Sequence, residues 1–237
     1  MDELWDLMSS LNSSQSFEEL ESHLDKVFQQ FDIEHYVYLN FSPLAIDVTS
    51  IGNYPKAWVN HYLEQEYQKT DPTAHACSVL ETPFLWRNCD LIVEPNEKTK
   101  RFWQEAGEYS LSNGIGIPAR NRDKSRAGWG ITFASKEDEK RWLEHHESVI
   151  SVVANAFHYR FEQLLFSSEN LQRTFGLTQR ERESVKWLCD GKTYSEIGQI
   201  LSISERTARF HITSARTKLD VRTNAQLIAK VSLYRLV

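Results

Sequence analysis

A series of closely spaced helix-start signals in residues 177–237 restricts the fold more than any other feature of the sequence. A Thr followed three residues later by Glu or Gln forms a capping box, in which the two residues satisfy each other's backbone N–H groups. The pattern occurs at Thr178 with Glu181, Thr193 with Glu196, and Thr223 with Gln226. Ser204 can cap a further helix, and Gly191 stands where a left-handed residue would end the first one. These signals predict four short helices, at residues 179–190, 194–201, 205–219 and 224–234.

The links between these helices are so short that they favour a compact bundle with steep crossings, as in a helix-turn-helix domain. Charge supports this interpretation. Residues 177–237 carry 11 Lys/Arg against 6 Asp/Glu, whereas residues 1–166 carry 15 against 26. A basic C-terminal part on an acidic body indicates that only the C-terminal part contacts phosphate.

The first part of the chain shows two hydrophobic periods. Helical spacing appears at residues 17–28, 97–110 and 137–166, while 35–41, 115–118 and 129–133 have the composition of strands. A sheet with helices on its faces is expected, with residues 167–176 as a polar linker. The predicted class is therefore α+β: an N-terminal α-β-α sandwich domain at 1–166 and an all-α four-helix domain at 177–237. The long apolar face of 137–166 fits a core, a subunit interface, or both.

Bulk composition limits the class of protein. The chain has 237 residues, of which 41% are hydrophobic and 25% charged, as in ordinary globular proteins. The acidic start, Met1 to Asp6, lacks the basic region of a secretory signal, and no apolar run is long enough to cross a membrane. Three cysteines without metal-ligand spacing favour reduced thiols. We expect a cytoplasmic protein with no bound metal or cofactor.

The last part of the chain resembles the LuxR-type helix-turn-helix signature. The resemblance rests on Leu177-Thr178-Gln179-Arg180-Glu181, Gly191-Lys192-Thr193, Glu196-Ile197, Leu201, Ile203-Ser204, Thr207, His211 and Lys218-Leu219. Two positions are smaller than is usual in the family. Gly198 stands where Ala is common and Ala208 where Val is common, which predicts slightly looser packing.

The helix at 205–219 is expected to enter the DNA major groove. Ala208, His211, Ala215 and Leu219 would form its core face, packed against Ile197, Ile200 and Leu201. The opposite face presents Glu205, Arg206, Arg209, Thr213 and Arg216. We expect Arg206 and Arg209 to read bases, with Glu205 as an acceptor for cytosine. Phosphate contacts are expected from Lys192, Thr193, Arg216, Lys218 and Arg222. For each of these residues the alternative is a solvated surface side chain.

The input domain is not a phosphoacceptor receiver, because the first strand ends near Asn40-Phe41 without paired acids. A different pattern is present: Asn53-Tyr54-Pro55, Trp58, Tyr62, Asp71-Pro72-Thr73, Trp86 and Gly114. Over residues 15–165 it resembles the ligand-binding domain of LuxR/LasR-type quorum-sensing regulators, which bind N-acyl-homoserine lactones. Its place before a LuxR-type C-terminal domain makes the joint resemblance more specific than either half.

The resemblance implies a role for each of these residues. Trp58 would donate its indole N–H to the lactone carbonyl, Asp71 would accept the amide N–H, and Tyr54 would donate to the amide carbonyl. Thr73 and Thr132 would add hydroxyl contacts. Tyr62 and Trp86 would wall the ligand, and Gly114 would allow a close backbone approach. The alternatives are core aromatics, and for Asp71 a turn or a helix cap.

The sequence thus predicts a lactone-responsive transcriptional regulator that binds a pseudo-palindromic operator as a homodimer, with RNA polymerase as a further candidate partner. One alternative is a lactone-binding sink or antagonist that does not activate. Another is a lactone-cleaving enzyme. Nothing supports catalysis, because there is no metal motif, no Gly-x-Ser-x-Gly and no nucleophile–base pair.

Overall fold

The computed structural model describes residues 2–31, 33, 35–42, 50–167 and 174–237, without the side chains of 2–4 and 147. The chain divides into two compact units, Met1–Leu164 and Leu165–Val237, called here the N-terminal and C-terminal units. Most of the predicted linker, at 168–173, lies outside the described residues. In the parts of the chain that are described, no helix has the length and apolar character needed to cross a membrane.

The N-terminal unit is an antiparallel sheet with helices on both faces. Its described helices are α1 (Asp2–Ser13), α2 (Phe17–Gln30), α3 (Lys56–Glu64), α4 (Pro72–Val79), α5 (Glu97–Glu108) and α6 (Lys136–Leu165), whose last residue lies in the C-terminal unit. Its described strands are β1 (His35–Asn40), β2 (Ser50–Gly52), β3 (Phe84–Leu85), β4 (Gly114–Arg120) and β5 (Arg126–Thr132), in the sheet order β2-β1-β5-β4-β3. Two short 3₁₀ segments, Tyr67–Lys69 and Trp86–Leu91, complete it.

The predicted helices and strands of this unit are confirmed, and several others were not predicted. The β4–β5 hairpin is longer than expected, because Arg120 pairs with Arg126 and shortens the loop. Helices α1, α3 and α4 and strands β2 and β3 were missed. They are short or lack strong periodicity, and propensity alone is a weak guide to such elements.

The two faces of the sheet have different surroundings. On one face, Trp129 packs edge-on against Phe28 of α2 and Phe157 of α6, with ring centroids 5.9 and 4.7 Å apart. Tyr38, fully buried, joins the same cluster. On the other face, side chains of β1 alternate with these and are only half-buried, although helices cover them. This face therefore encloses a cavity.

Helix α6 serves mainly as core. Ile150, Val153, Phe157 and Phe161 are each 0% exposed. The opposite side of the helix leaves Val152 and Tyr159 exposed.

The C-terminal unit contains α7 (Gln179–Cys189), α8 (Tyr194–Leu201), α9 (Glu205–Lys218) and α10 (Asn224–Tyr234), within one or two residues of the prediction. All three capping boxes form, and Gly191 has φ +80° as expected at the end of α7. The expectation of loose packing at Gly198 is wrong. A Cβ there would lie 2.8 Å from the Ile203 carbonyl oxygen, so glycine permits a close approach of the turn. The predicted α+β class, an α-β-α sandwich followed by a four-helix domain, is confirmed.

Candidate functional site

The N-terminal unit contains a cavity of about 350 Å³ between the sheet and helices α3, α4 and α5. This is within the size range of small-molecule sites, which are mostly apolar with a few placed polar groups. The cavity is lined by Val37, Leu39, Phe41, Ser50, Tyr54, Trp58, Val59, Tyr62, Leu63, Gln68, Asp71, Thr73, Ala74, Cys77, Trp86, Phe102, Trp103, Ala106, Leu111, Arg126, Ala127, Gly128, Trp129 and Gly130. Exposed Val59 and Leu63 place its mouth beside α3.

Asp71 is the buried carboxyl group among the described lining residues, and its two oxygens have different roles. Oδ1 caps α4: it accepts the Thr73 N–H at 2.7 Å, the Thr73 hydroxyl at 2.7 Å and the Ala74 N–H at 3.2 Å. Oδ2 accepts only the Tyr62 hydroxyl, at 3.0 Å, among the contacts of the described residues. Because an ionised carboxylate oxygen can accept more than one hydrogen bond, Oδ2 keeps capacity for a ligand donor.

Burial governs the ionisation of Asp71. It raises the pKa of this carboxyl above the ordinary value, and the hydrogen bonds from Thr73, Ala74 and Tyr62 only partly oppose that rise. A further N–H donor at Oδ2 would stabilise the charged form.

Buried donors beside Asp71 lack acceptors. Across the described ranges, no hydrogen-bond partner lies within reach of the Tyr54 hydroxyl or Trp86 Nε1. Burial raises the pKa of Tyr54 well above its usual value, and nearby Asp71 adds to the effect, so the hydroxyl stays a neutral donor. Native proteins rarely leave such groups unsatisfied, because each costs its desolvation energy. A ligand that carries acceptors would remove this cost.

A cluster around Glu105 connects the two helices that form one wall of the cavity. Its carboxylate accepts hydrogen bonds from the Tyr67 hydroxyl and from Arg101 Nε at 2.6 Å, and it contacts His61 Nε2 on α3 at 2.5 Å. These bonds, with that of Tyr67 the largest, lower the pKa of Glu105 to about 2. The cluster holds α3 against α5 and so positions Trp58, whose ring lies 5.8 Å from that of Phe102.

The structure brings most of the predicted ligand residues together. Tyr54, Trp58, Tyr62, Asp71, Thr73 and Trp86 all line the cavity. Asp71 caps a helix, as its alternative interpretation predicts, and it also lines the cavity. Thr73 has its hydroxyl committed to Asp71.

Gly114 and Thr132 are not on the cavity wall, which corrects their expected position. A Cβ at Gly114 would lie 2.5 Å from the Ile131 carbonyl oxygen and 2.8 Å from Trp86 Cδ2, so the close approaches there are made by β5 backbone and the Trp86 ring. Thr132 pairs with Gly114 at the end of β5, and its hydroxyl donates to the His35 carbonyl at 3.4 Å. Both lie beyond Gly130, the last residue of β5 on the wall.

Sequence reasoning missed Gly128, Gly130 and Arg126 on the wall. A Cβ at Gly130 would lie 2.8 Å from the Tyr54 hydroxyl oxygen, and one at Gly128 would lie 2.8 Å from Cys77 Sγ. The two glycines alternate with Ala127 and Trp129 along β5. Such alternation was the available signal, because residues two apart share one face of a strand.

In the C-terminal unit, α9 has one buried and one exposed face. Ala208, Ile212, Ala215 and Leu219 are each 0% exposed and form the core side. The expectation for His211 is therefore wrong: Ile212 takes the core position, and His211 is half-buried. Ile200, expected in the core, is 43% exposed.

The residues predicted to contact DNA differ in whether their side chains are bonded to other residues of the C-terminal unit. Glu205, Arg206, Arg209 and Thr213 are exposed together on α9. Among described residues, the side chains of Arg206, Lys192 and Arg222 make no hydrogen bond or ion pair with the protein. Thr193 is exposed, but its hydroxyl belongs to the capping box with Glu196.

Two arginines of α9 have partners that position them. Arg209 pairs with Glu205 at 3.0 Å, and its guanidinium lies 4.7 Å from the centroid of the Tyr194 ring. Arg216 donates to the Arg222 carbonyl at 3.0 Å and to the Thr213 hydroxyl at 3.3 Å, which secures the turn before α10.

Lys218 is committed inside the C-terminal unit. Its Nζ donates to Glu181 Oε2 and to the Gly176 carbonyl, both at 2.8 Å. Glu181 is 4% exposed and also accepts from Ser214 at 2.6 Å. Burial would raise the pKa of Glu181, but the bonds from Lys218, Ser214 and Thr178 outweigh it and hold the pKa at about 2. This buried ion pair argues against a phosphate contact by Lys218.

Comparison with known proteins agrees with both halves of this description. Residues 16–161 match the model of the autoinducer binding domain, and residues 176–231 match that of bacterial regulatory proteins of the luxR family. The chain is 30% identical to the transcriptional activator protein AnoR of Acinetobacter nosocomialis, over 91% of each chain. It is 24% identical to the activator LuxR of Aliivibrio fischeri, over 98% of this chain and 93% of that protein.

Solved structures show the same architecture. A crystal structure of Escherichia coli SdiA superposes with a TM-score of 0.65 at 19% identity, covering 99% of this chain and 98% of that one. At this identity the likeness establishes the fold. With an autoinducer-binding domain and a regulatory helix-turn-helix domain matched in order along its length, the chain belongs to the LuxR family of quorum-sensing transcriptional regulators.

Proposed function

We propose that the chain binds an N-acyl-homoserine lactone in the cavity and controls transcription by binding a pseudo-palindromic operator as a homodimer. The observation that carries the ligand class is the buried Asp71 carboxylate beside the Tyr54 hydroxyl, which has no partner among the described residues, in an apolar cavity. Such a site suits a ligand with an N–H donor, carbonyl acceptors and an apolar chain. An N-acyl-homoserine lactone carries each of these groups.

The proposed contacts follow from donor and acceptor capacity. Asp71 Oδ2 accepts the amide N–H, Tyr54 donates to the amide carbonyl, and Trp58 donates its indole N–H to the lactone carbonyl. Tyr62 and Trp86 flank the ligand, and Thr73 orients Asp71 through its hydroxyl. The acyl chain lies along the apolar wall toward the mouth at Val59 and Leu63. One structure of the similar protein SdiA is a complex with octanoyl-rac-glycerol, also an acyl compound.

The ligand proposal is tested by purifying the full chain from cells supplied with a panel of N-acyl-homoserine lactones. Mass spectrometry of the extracted small molecule should find an intact lactone in equimolar amount, and calorimetry should give saturable binding. Recovery of ring-opened product after incubation would indicate hydrolysis instead. Absence of any bound or titratable lactone would contradict the proposal.

The dimer proposal is supported by exposed apolar side chains on α6 and by the short recognition helix of a single chain. Val152 and Tyr159 are 46% and 57% exposed and lie two helical turns apart on one face. A single half-site contact gives little specificity, and helix-turn-helix proteins usually bind paired half-sites as dimers. Sedimentation of the lactone-loaded chain should show a dimer, and a Val152→Asp variant should shift it toward monomer. A monomer at concentrations that saturate the operator would contradict this.

The DNA proposal assigns base contacts to Arg206, Arg209, Thr213 and Glu205, and phosphate contacts to Lys192, Thr193, Arg216 and Arg222. RNA polymerase is the proposed partner for activation. Operator binding together with reconstituted transcription separates an activator from a lactone sink, because a sink would bind lactone without binding the operator or activating transcription.

A further inference from the structure

An exposed phenylalanine lies in the middle of the polar face of α9. Phe210 is 66% exposed. It shares this face with Arg206, four residues earlier, and with Thr213 and Thr217, three and seven residues later, all of them exposed. Residues three and four apart are neighbours on a helix surface, so the Phe210 ring is flanked by the same side chains that are proposed to contact DNA.

The fold of the C-terminal unit does not use this ring. The core side of α9 is formed by the fully buried Ala208, Ile212, Ala215 and Leu219, and Phe210 does not belong to the hydrophobic core cluster that contains them. Its aromatic neighbour is the half-buried His211, with ring centroids 5.7 Å apart. A large apolar side chain in this position is free to contact a partner of the helix.

The position of Phe210 along α9 specifies which part of a partner it meets. It is the sixth residue of this 14-residue helix, within its N-terminal half. In helix-turn-helix proteins this half of the second helix lies against base edges in the major groove. The edges there present hydrogen-bond donors and acceptors, and the 5-methyl group of thymine is the apolar feature among them.

We infer that Phe210 contacts the 5-methyl group of one thymine in each operator half-site and so selects thymine at that position. The inference rests on the proposed DNA binding. It names an uncharged residue and a base contact that the basic side chains of the C-terminal unit do not indicate. Arg206 and Arg209 hydrogen-bond base edges through their guanidinium groups, while Phe210 excludes water from the thymine methyl group. Cytosine methylated at C5 would present the same group and partly replace thymine.

The test uses the full chain loaded with a lactone from the panel and a duplex selected from a randomised palindromic library. Each thymine of that duplex is replaced in turn by deoxyuridine, symmetrically in both half-sites, which removes the methyl group and keeps every hydrogen-bonding edge. Replacement at one of these positions should weaken binding about fifteenfold. Burial of one methyl carbon contributes ~0.8 kcal/mol, or about fourfold in affinity, and the replacement removes one methyl group from each of the two half-sites. Phe210→Ala should bind the thymine duplex about fifteenfold more weakly and be insensitive to uracil at that position.

Leu233→Ala is the matched control, because Leu233 is 38% exposed on α10, away from this face. It should keep the wild-type response to uracil. Phe210→Leu should retain part of the response, which shows that a folded variant is being measured. The inference is overturned if no thymine responds, or if Phe210→Ala responds as the wild type does. It is also overturned if Phe210→Ala binds DNA normally and loses only transcription, since the ring would then contact a protein. Failure of the wild type to select any duplex would remove the DNA proposal itself.

Discussion

The two units hold their candidate functional groups in opposite physical states. In the N-terminal unit the Asp71 carboxylate is buried, and the neighbouring Tyr54 hydroxyl has no acceptor among the described residues. In the C-terminal unit the corresponding side chains lie exposed on α9, and the buried carboxylate, Glu181, is fully paired. A ligand with matching groups would complete the hydrogen bonding of the first site, whereas Glu181 already has its partners within the fold of the second unit. We therefore expect a ligand to stabilise the N-terminal unit, and salt concentration to control DNA binding by the C-terminal unit.

The same contrast appears in the expected pH dependence. The pKa of Glu181 is about 2 against an ordinary 4.5, so its stabilisation is fully present above pH 4.5 and is lost as the pH falls toward 2. The pKa of Asp71 is raised above its ordinary 3.8. Ionisation of Asp71 therefore lowers the stability of the N-terminal unit as the pH rises from 3.8 through the raised pKa. A ligand N–H that pairs with Asp71 would reduce this penalty.

The largest expected effect comes from removing the buried ion pair of the C-terminal unit. Glu181→Gln should lower its free energy of unfolding by about 3 kcal/mol, the low end for a broken buried ion pair, because Lys218 is 31% exposed. The acid-side pH dependence should weaken in the same variant. Chemical denaturation at pH 3 to 7 measures both. Glu183→Gln, which removes an exposed pair with Arg180, is the control and should change stability by less than ~0.5 kcal/mol. Equal effects of the two changes would show that the ion pair is unimportant.

The next effect tests the proposed contact between Asp71 in the N-terminal unit and the lactone. Asp71→Asn should weaken lactone binding by on the order of 1.5–3 kcal/mol, about 10–150-fold, because a charge-assisted bond in a buried site is removed. The fold of the C-terminal unit should be unaffected. Calorimetric titration measures the affinity. Asp138→Asn, in the first turn of α6 and bonded to Ser135, should leave affinity unchanged. An Asp71→Asn protein that binds lactone normally would rule out the proposed contact.

A third prediction concerns base reading by the exposed face. Arg209→Ala should cost about 1–3 kcal/mol on the selected operator and flatten the preference at one base pair per half-site. Tyr194 and Glu205 hold the guanidinium at the helix surface, which favours a defined contact. Binding to operators with single base changes provides the measurement. If affinity for scrambled DNA fell equally, Arg209 would be a phosphate contact and the assumed orientation of α9 would be wrong.

The smallest effect concerns Lys192, whose proposed phosphate contact depends on charge and not on the DNA sequence. Lys192→Ala should weaken selected and scrambled duplexes alike and reduce the salt slope by about 0.9 for each phosphate that the lysine neutralises. A salt series on both duplexes shows this directly. Lys100→Ala is the control, since Lys100 is an exposed lysine of the N-terminal unit paired with Glu97. A Lys192→Ala change confined to the selected duplex would indicate a base contact.

Much of this protein follows from local sequence chemistry. Capping boxes and Gly191 are short-range signals, and they located the four C-terminal helices because the side chain and the N–H that it satisfies are only three residues apart. The resemblance likewise identified six of the cavity residues, from Tyr54 to Trp86, and the family of the chain. The exposed arginines of α9 followed from helical spacing and charge.

Tertiary structure decided what those residues contact. The side of α9 that holds Ile212 instead of His211 depends on how α9 crosses α7 and α8, and helical spacing allowed both. Lys218 was assigned to phosphate by its charge, yet folding brings it to Glu181, 37 residues away. Gly114 and Thr132 lie outside the cavity because Trp86 and the end of β5 limit it, whereas Gly128 and Gly130 lie on its wall. Capping is a local interaction, but cavity walls and buried ion pairs form between segments distant in the chain, so the sequence alone did not determine them.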